Sequence, residues 1–276
     1  MLHVLIADAD APPAWPALDA LLARLRPAAS IEADDDSPAT PLEIALARAH
    51  GLPGDAARAP WAAFESGTVG TPCAWFHPCH WQLGMDDARL IDPAALALTE
   101  TESRALLAAA APLLAESGVT LAYTRPGDWL AQGELLCGLA ACSLRRALRG
   151  TLSRELLAQA PARLRRLQAE LQMLLHDHPV NQQRERESRS PVNALWIDGA
   201  GALAAPCPPN PQVRVAQAGD AASVDELRRV LDAGGDARLT LCGPRRAITL
   251  APARGWLAKI TNSFRRQRFQ DLRHTL

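Results

Sequence analysis

Apolar side chains recur at helical spacing through residues 161–176, where the periodicity is the clearest in the chain. This spacing predicts an amphipathic helix that packs its leucine face against a core. The apolar face carries Leu164, Leu167, Leu171, Leu174 and Leu175, and the opposite face carries Arg163, Arg166 and Glu170.

Strand and cap patterns elsewhere predict an α/β protein. Residues 2–7 form a mostly apolar run that Asp8 closes, as expected of a buried strand, and residues 119–123 form another. Thr40 and Thr99 each stand three residues before a glutamate, which is the capping-box pattern that begins a helix. The predicted fold class is therefore α/β, with a mixed sheet flanked by helices.

Other patterns predict shorter elements. A helix is expected over residues 19–26, ending at Pro27, because proline cannot continue a helix. The aromatic-rich residues 71–91 predict a hairpin with its turn at 84–87. Further helical pieces are predicted over 135–149 and 152–158.

The order of the predicted helices and strands, and the positions of the glycines and prolines that interrupt them, predict three lobes. Glycines and prolines are frequent over residues 51–72, which favours a connection there. We therefore expect an N-terminal α/β lobe over 1–70, a central α/β lobe over 71–205 and a small C-terminal lobe over 206–276. Within the last lobe, residues 213–250 predict a strand, a helix and two strands.

Composition narrows the classes of partner and compartment. The 29 basic and 30 acidic side chains nearly cancel, so no overall field attracts nucleic acid or an anionic membrane. Six cysteines without a C-x-x-C pair predict free thiols. The sequence has neither the basic start of a signal peptide nor an apolar run of roughly 18 residues that could span a membrane. We expect a cytoplasmic protein without a membrane or nucleic-acid partner.

Hydrogen-bonding side chains are concentrated over residues 176–201. Guanidinium forks and amides match phosphate oxygens, which favours an anion site, while a solvated charged loop explains the same pattern equally well. Backbone amides around Asp198, Gly199 and Gly201 could approach a ligand, although a plain turn fits that short pattern better. The anion-binding set is His178, Asn181, Arg184, Arg186, Arg189 and Asn193.

Metal chemistry has weaker support in the sequence. His176 and His178 stand at a helix end, where spacing does not fix their directions, so capping or packing explains them better than ligation. Asp8, Asp10 and the acidic residues 34–36 could hold Mg²⁺ or Mn²⁺, but solvated loop carboxylates are the simpler interpretation. We expect no metal and no cofactor.

Two further stretches have chemical alternatives. Residues 77–81, HPCHW, are compatible with a metal or nucleophile site, but no second cluster stands at a recognised spacing, which favours aromatic packing in a strand. Residues 256–273 mix aromatic and arginine side chains. A docked helix with a basic outer face is favoured, with a nucleic-acid or protein contact as the alternative.

One long segment resembles a known family. Residues 167–201, LQAELQMLLHDHPVNQQRERESRSPVNALWIDGAG, resemble the RpfE-type regulatory proteins of bacteria, which are often described as phosphoglycerate-mutase-like. TPCAWFHPCHWQLG and LTLCGPR are similar to the same family. The HPVN-x-x-R part and residues 191–201 also resemble archaeal-type cofactor-independent phosphoglycerate mutases of the alkaline-phosphatase-like superfamily. The resemblance implies a reduced form of that architecture, with residues 71–205 similar to a mutase substrate-binding region.

The departures from this resemblance imply lost catalysis. Such mutases use an Asp-Gly after the first strand and histidine ligands near the C-terminus, whereas no glycine follows Asp8 and His274 is the only histidine after Gly201. A two-metal centre needs those ligands. We therefore expect a non-catalytic regulatory or binding protein that holds a phosphorylated small molecule at Asn181, Arg184 and Asn193.

Two alternatives stay open on the sequence. One is an active phosphoglycerate mutase or phosphatase that uses Mn²⁺ or Mg²⁺, with Asp8, Asp10, His176 and His178 as candidate ligands. The other is a protein-interaction module that works through the arginine-rich residues 256–276.

Overall fold

A computed structural model describes residues 1–11, 14–83, 88–150, 162–252 and 268–276. The chain divides into two compact units, the first formed by Met1–Leu52 with Pro209–Leu276 and the second by Pro53–Pro208. The N-terminal and C-terminal segments therefore share one unit, whereas three sequential lobes were expected. Pairing of β1 with strands from the last 70 residues is the physical reason, and a contact between such distant segments leaves no local pattern in a sequence.

The described residues form ten strands and nine α-helices. The strands are β1 (Leu2–Ala7), β2 (Leu25–Glu32), β3 (Cys73–Leu83), β4 (Ala88–Ile91), β5 (Thr120–Arg125), β6 (Asp128–Gln132), β7 (Ala194–Gly201), β8 (Val213–Gln217), β9 (Ala237–Cys242) and β10 (Arg246–Pro252). The helices are α1 (Pro16–Leu22), α2 (Pro41–His50), α3 (Trp61–Ser66), α4 (Glu100–Glu116), α5 (Leu144–Ala147), α6 (Ala162–His176), α7 (Pro179–Arg186), α8 (Ala221–Asp232) and α9 (Phe269–Arg273).

The first unit is built on a mixed sheet in the order β2-β10-β9-β1-β8. β1 is parallel to β8 and β9, and β10 is antiparallel to both β9 and β2. Alternate residues of β1 face opposite sides, so Val4 and Ile6 join a core with residues of α1, α8 and α9 such as Leu18, Leu227 and Phe269. The predicted class, a mixed sheet flanked by helices, is confirmed.

The second unit holds an antiparallel sheet in the order β4-β3-β6-β5, with β7 paired to β3. Its inner face supplies Phe76 and Trp129, which pack with Leu106 of α4 and Leu171 of α6. The buried Trp129 indole donates a hydrogen bond to Ser103 Oγ at 2.9 Å, so its polar atom is satisfied inside the core.

Local signals predicted several elements correctly. β1 occupies the expected residues, and both capping boxes are present, at Thr40 with Glu43 and at Thr99 with Glu102. β3 and β4 pair as the predicted hairpin, whose turn at 84–87 lies outside the described residues. The strand, helix and two strands expected over 213–250 are also confirmed.

Two helix predictions were wrong. The helix expected over 19–26 is instead the end of α1 followed by β2, which contains Pro27. β2 is an edge strand, where the missing amide of proline is tolerated. Over 135–149 the structure has a 3-10 turn at Glu134–Leu136 and the short α5, and residues 152–158 lie outside the described part of the chain.

Candidate functional site

The segment 176–201 begins where helix α6 ends and helix α7 starts, and not in a long loop. His176 is the last residue of α6 and is exposed. His178 is the N-cap of α7, and its Nδ1 accepts a hydrogen bond from the Val180 amide at 3.2 Å. Burial lowers the pKa of His178, which favours the neutral ring that can accept this bond. The capping interpretation of His178 is confirmed.

Asn181 joins the two ends of this segment. Its side chain is buried, and Nδ2 donates to the carbonyls of Leu175 and Val192 at 2.7 Å each. Oδ1 accepts a hydrogen bond from the Val192 amide at 2.8 Å. Both amide hydrogens are therefore used inside the protein, and Asn181 fixes the end of α6 to the chain that enters β7.

Arg184 is one of the most deeply buried large side chains, with 1% of it exposed. Nε donates to the carbonyl of Ser190 at 2.8 Å, and Nη2 donates to the carbonyl of Leu96 at 2.7 Å. Nη1 donates to Glu102 Oε1 at 3.0 Å. A phosphate could reach this guanidinium only if these contacts broke.

Glu102 connects α4 with the segment through two arginines. Arg189 Nη1 lies 3.0 Å from Glu102 Oε1, the same oxygen that Arg184 contacts. Burial alone would raise the pKa of Glu102, but hydrogen bonds from Thr99, Arg189 and Arg184 outweigh it and lower the pKa to about 2. The carboxylate therefore stays ionised and holds both guanidinium groups in place.

Asn193 extends the pairing between β3 and β7. Its Oδ1 accepts from the Trp81 amide at 2.7 Å, and its Nδ2 donates to the Trp81 carbonyl at 3.0 Å. Its own amide donates to the Cys79 carbonyl at 3.1 Å. The side chain thus reproduces the two hydrogen bonds of a paired strand residue.

The glycines of β7 allow close packing. Gly199 has φ of 61°, and a Cβ there would lie 2.8 Å from the Cβ of Trp61. Gly201 has φ of 147°, and a Cβ there would lie 2.9 Å from the Cβ of Pro60. Both positions are strained for other residues, and both let the start of α3 approach the strand.

The residues expected to bind an anion are thus brought together as internal cross-links of the second unit. Arg186 is exposed, and its Nε donates to the Gln182 carbonyl at 3.2 Å within the same helix. Ligand binding by His178, Asn181, Arg184 and Asn193 stays a prediction, and it would compete with these internal bonds.

The candidate metal ligands are divided between the two units of the chain. Asp8 and Asp10 follow β1 in the first unit, whereas His176 and His178 belong to the second. Asp35, in the exposed acidic loop 34–36, pairs with Arg245. Within the described ranges, no group of three or more His, Cys, Asp or Glu side chains could hold a metal ion.

A buried charged cluster, which the sequence did not predict, lies on the other face of the second sheet. His77 is 6% exposed, and its Nδ1 lies 2.6 Å from Asp128 Oδ1. Asp128 also pairs with Arg125. Burial would raise the pKa of Asp128, but hydrogen bonds and charge from His77 and Arg125 lower it overall. Alternation along β3 places His77 on the sheet face opposite to Phe76, but that pattern alone does not show that this face is buried.

Two other residues of the HPCHW stretch have structural roles. Cys79 is fully buried, and burial raises the pKa of its thiol to about 12, so the reactive thiolate is disfavoured. His80 Nδ1 donates to the Pro191 carbonyl at 2.8 Å. Cys79 packs in a small cluster with Leu90, Cys142 and Trp196, in agreement with the packing interpretation.

A pocket of about 340 Å³ lies between α6, β7 and residues 139–142, and we call it the α6–β7 pocket. Trp81 and Trp196 form part of its wall, with ring centroids 5.6 Å apart and planes tilted by 34°. Helix α6 contributes Arg165, Gln168 and Gln172, the polar lining residues. The remaining lining residues are Leu139, Ala140, Ala141, Cys142, Leu164, Ala169, Ala194, Leu195 and Ile197.

The sequence held a partial signal for this pocket. Arg165, Gln168, Ala169 and Gln172 follow the spacing i, i+3, i+4, i+7, which places them in a row on one side of α6. This row of polar and small residues lies beside the leucine face. The opposite wall of the pocket is formed by β7 and residues 139–142, and only the tertiary fold brings these residues close to α6.

The arginine-rich helix expected over 256–273 falls mostly on residues 253–267, which lie outside the described part of the chain. Its last residues form α9, in which Phe269 and Leu272 are buried in the hydrophobic core of the first unit. Arg273 Nε donates to the Asp10 carbonyl at 2.7 Å.

In the part of the chain that the structure describes, no helix has the length and apolar character needed to cross a membrane.

The chain matches no model of a known protein family and no curated protein sequence. Among solved structures, it is similar to the cofactor-independent phosphoglycerate mutase from Thermoplasma acidophilum DSM 1728, with TM-score 0.37 and 12% identity over 100% of this chain and 99% of that chain. It is also similar to the PH0037 protein from Pyrococcus horikoshii, with TM-score 0.40 and 13% identity over 91% of this chain and 87% of that chain. Neither distant likeness extends to residue roles, and membership of the RpfE-type family stays a prediction.

Proposed function

We propose that this chain is a non-catalytic regulatory or binding protein that holds a small molecule in the α6–β7 pocket. The supporting observation is the pocket itself, because its volume of about 340 Å³ falls within the usual range for small-molecule sites. Such sites combine a mostly apolar wall with a few polar groups that orient the ligand. A cytoplasmic location remains part of the proposal.

The lining defines the chemistry of the ligand. The Trp81 and Trp196 rings line the pocket and favour a ligand with a flat, apolar ring system. Aromatic rings pack well against each other in offset-stacked or edge-to-face arrangements. Arg165 lines the pocket from α6, and guanidinium groups pair well with phosphate oxygens. A phosphorylated or otherwise anionic aromatic molecule satisfies both requirements.

Arg165, rather than Arg184, is therefore the residue that we assign to anion binding. Arg165 is exposed and lines the pocket, so a ligand can reach it, whereas the side chain of Arg184 is 1% exposed. This assignment keeps the expected phosphorylated ligand but moves its recognition from α7 to α6.

Phenyl phosphate is a suitable probe, with phenol as its uncharged counterpart. Tryptophan emission should change saturably with phenyl phosphate, because two indoles line the pocket. Replacing Arg165 with glutamine should weaken phenyl phosphate binding by about tenfold, the scale of one charge-assisted hydrogen bond, and leave phenol binding unchanged. The matched control is Arg166→Gln, because Arg166 is exposed and pairs with Glu170. Equal losses in both variants would contradict the assignment.

Turnover tests the alternative of an active metal enzyme. Purified protein supplied with Mn²⁺ should convert neither a phosphoglycerate nor an aryl phosphate. This expectation is supported by the candidate ligands, which do not form a metal-binding group within the described residues. Sustained turnover that a chelator abolishes would refute the non-catalytic part of the proposal.

A further inference from the structure

One nitrogen of the His77 ring is hydrogen-bonded. The other nitrogen faces a carboxylate but makes no hydrogen bond to it. Nδ1 lies 2.6 Å from Asp128 Oδ1 and therefore carries the hydrogen of the neutral ring. Nε2 is buried and has no hydrogen-bond partner among the residues that the structure describes. It lies 3.9 Å from Asp198 Oδ2. In the neutral ring two acceptors therefore face each other across this gap.

A proton on Nε2 would turn this arrangement into a bond. The ring would then have a donor on each side and a carboxylate facing each donor. A normal N–H to carboxylate hydrogen bond is about 2.9 Å long, so the gap would have to close by about 1 Å.

The charged groups around the ring come from four elements. Asp128 belongs to β6, Arg125 ends β5 and Asp198 belongs to β7. Glu65 of α3 accepts a hydrogen bond from the Trp75 indole at 2.7 Å and is close enough for its charge to interact with His77. From α5, the backbone amide of Leu144 donates to Asp198 Oδ2 at 3.1 Å.

We propose that His77 and Asp198 form a proton-operated latch on the segment 139–147. Protonation of Nε2 draws Asp198 Oδ2 towards the ring, and the same oxygen then loses its hydrogen bond from the Leu144 amide. The added proton comes from solvent and stays on Nε2, so no covalent bond other than N–H forms or breaks. Loss of the proton restores the contact with Leu144.

The latch would act on the wall of the α6–β7 pocket. Residues 139–142 line that pocket, and the Cys142 carbonyl accepts a hydrogen bond from the Trp196 indole at 3.0 Å. Leu144 follows two residues later, so release of its amide loosens the same segment. This consequence for ligand binding rests on the proposed function, whereas the latch itself does not.

The latch can be tested without any ligand by following the His77 ring nitrogens and the Leu144 amide in one NMR pH titration of the full chain. In the natural protein, the Leu144 amide resonance should shift with the same midpoint as the His77 ring. In Asp198→Asn that pH-dependent shift should be reduced, because the neutral amide can still accept from Leu144 but attracts the protonated ring less strongly than a carboxylate does. In His77→Gln it should be lost, and His176→Gln, at an exposed position, should behave as the natural protein.

A Leu144 amide that does not move while His77 titrates would overturn the proposal. His77 ring nitrogen resonances that stay constant over the whole pH range in which the protein remains folded would overturn it equally. Far-UV circular dichroism of each variant confirms folding, and His77→Gln serves if Asp198→Asn does not fold. Failure of phenyl phosphate to bind leaves this result unaffected, so the two proposals fail separately.

Discussion

Replacing Arg184 with alanine is expected to lower the free energy of unfolding by about 3–5 kcal/mol, the loss typical of breaking a buried ion pair. The variant leaves the carbonyls of Ser190 and Leu96 without their donor, and it leaves Glu102 with Arg189. Urea denaturation followed by circular dichroism measures the change.

The matched control for this experiment is Arg186→Ala on the same helix. Arg186 is exposed, and its Nε donates to the Gln182 carbonyl within the same helix, so its loss should change the stability by no more than about 0.5 kcal/mol. Arg184→Lys should also be destabilised, because one ammonium group does not match the three acceptors that the guanidinium reaches. An Arg184→Ala protein as stable as the Arg186→Ala protein would contradict the structural role of this arginine.

Acidification should destabilise the first unit through His3. The ring is buried and lies 2.8 Å from Thr240 Oγ1. Burial, with smaller contributions from Arg238 and His50, lowers the pKa of His3 from 6.5 to about 4. The unfolded chain therefore takes up a proton near pH 6.5 while the folded chain resists it. The stabilising contribution is complete above that pH and is lost as the pH falls towards about 4.

The expected loss is roughly 3 kcal/mol between about pH 8 and about pH 4, since each unit of pKa difference corresponds to about 1.4 kcal/mol. His3→Gln should flatten this part of the pH dependence, whereas His176→Gln, which changes an exposed ring, should not. Denaturation curves recorded over this interval measure the effect. Parallel pH profiles for the natural protein and His3→Gln would show that His3 contributes nothing to it.

The fold was predictable where the signals are local. The capping boxes at Thr40 and Thr99 and the apolar run of β1 depend on neighbours within a few residues, and all three are present in the structure. Pro27 misled the prediction because its meaning depends on strand position, and only the assembled sheet places β2 at an edge.

The candidate site was less predictable because its polar residues find partners far along the chain. Arg184 bonds to Glu102, which is 82 positions away, so a side chain suited to phosphate is used inside the protein instead. His77 and Asp128 are 51 positions apart, and the pocket wall from residues 139–142 exists only in the folded unit. Residue type showed what these groups could bind, and the tertiary contacts decided what they do bind.

Calorimetric titration with phenyl phosphate of a protein whose α6–β7 pocket is filled tests the central claim most directly. Ala169 lines the pocket from α6, and Ala169→Phe places a ring inside it, while Ala108→Phe makes the same change at an exposed position of α4. The natural protein and Ala108→Phe should give saturable heat at one equivalent, and Ala169→Phe should bind at least about tenfold more weakly, a loss of about 1.4 kcal/mol. No saturable heat in the natural protein, or equal affinity in Ala169→Phe, would contradict a ligand site in this pocket.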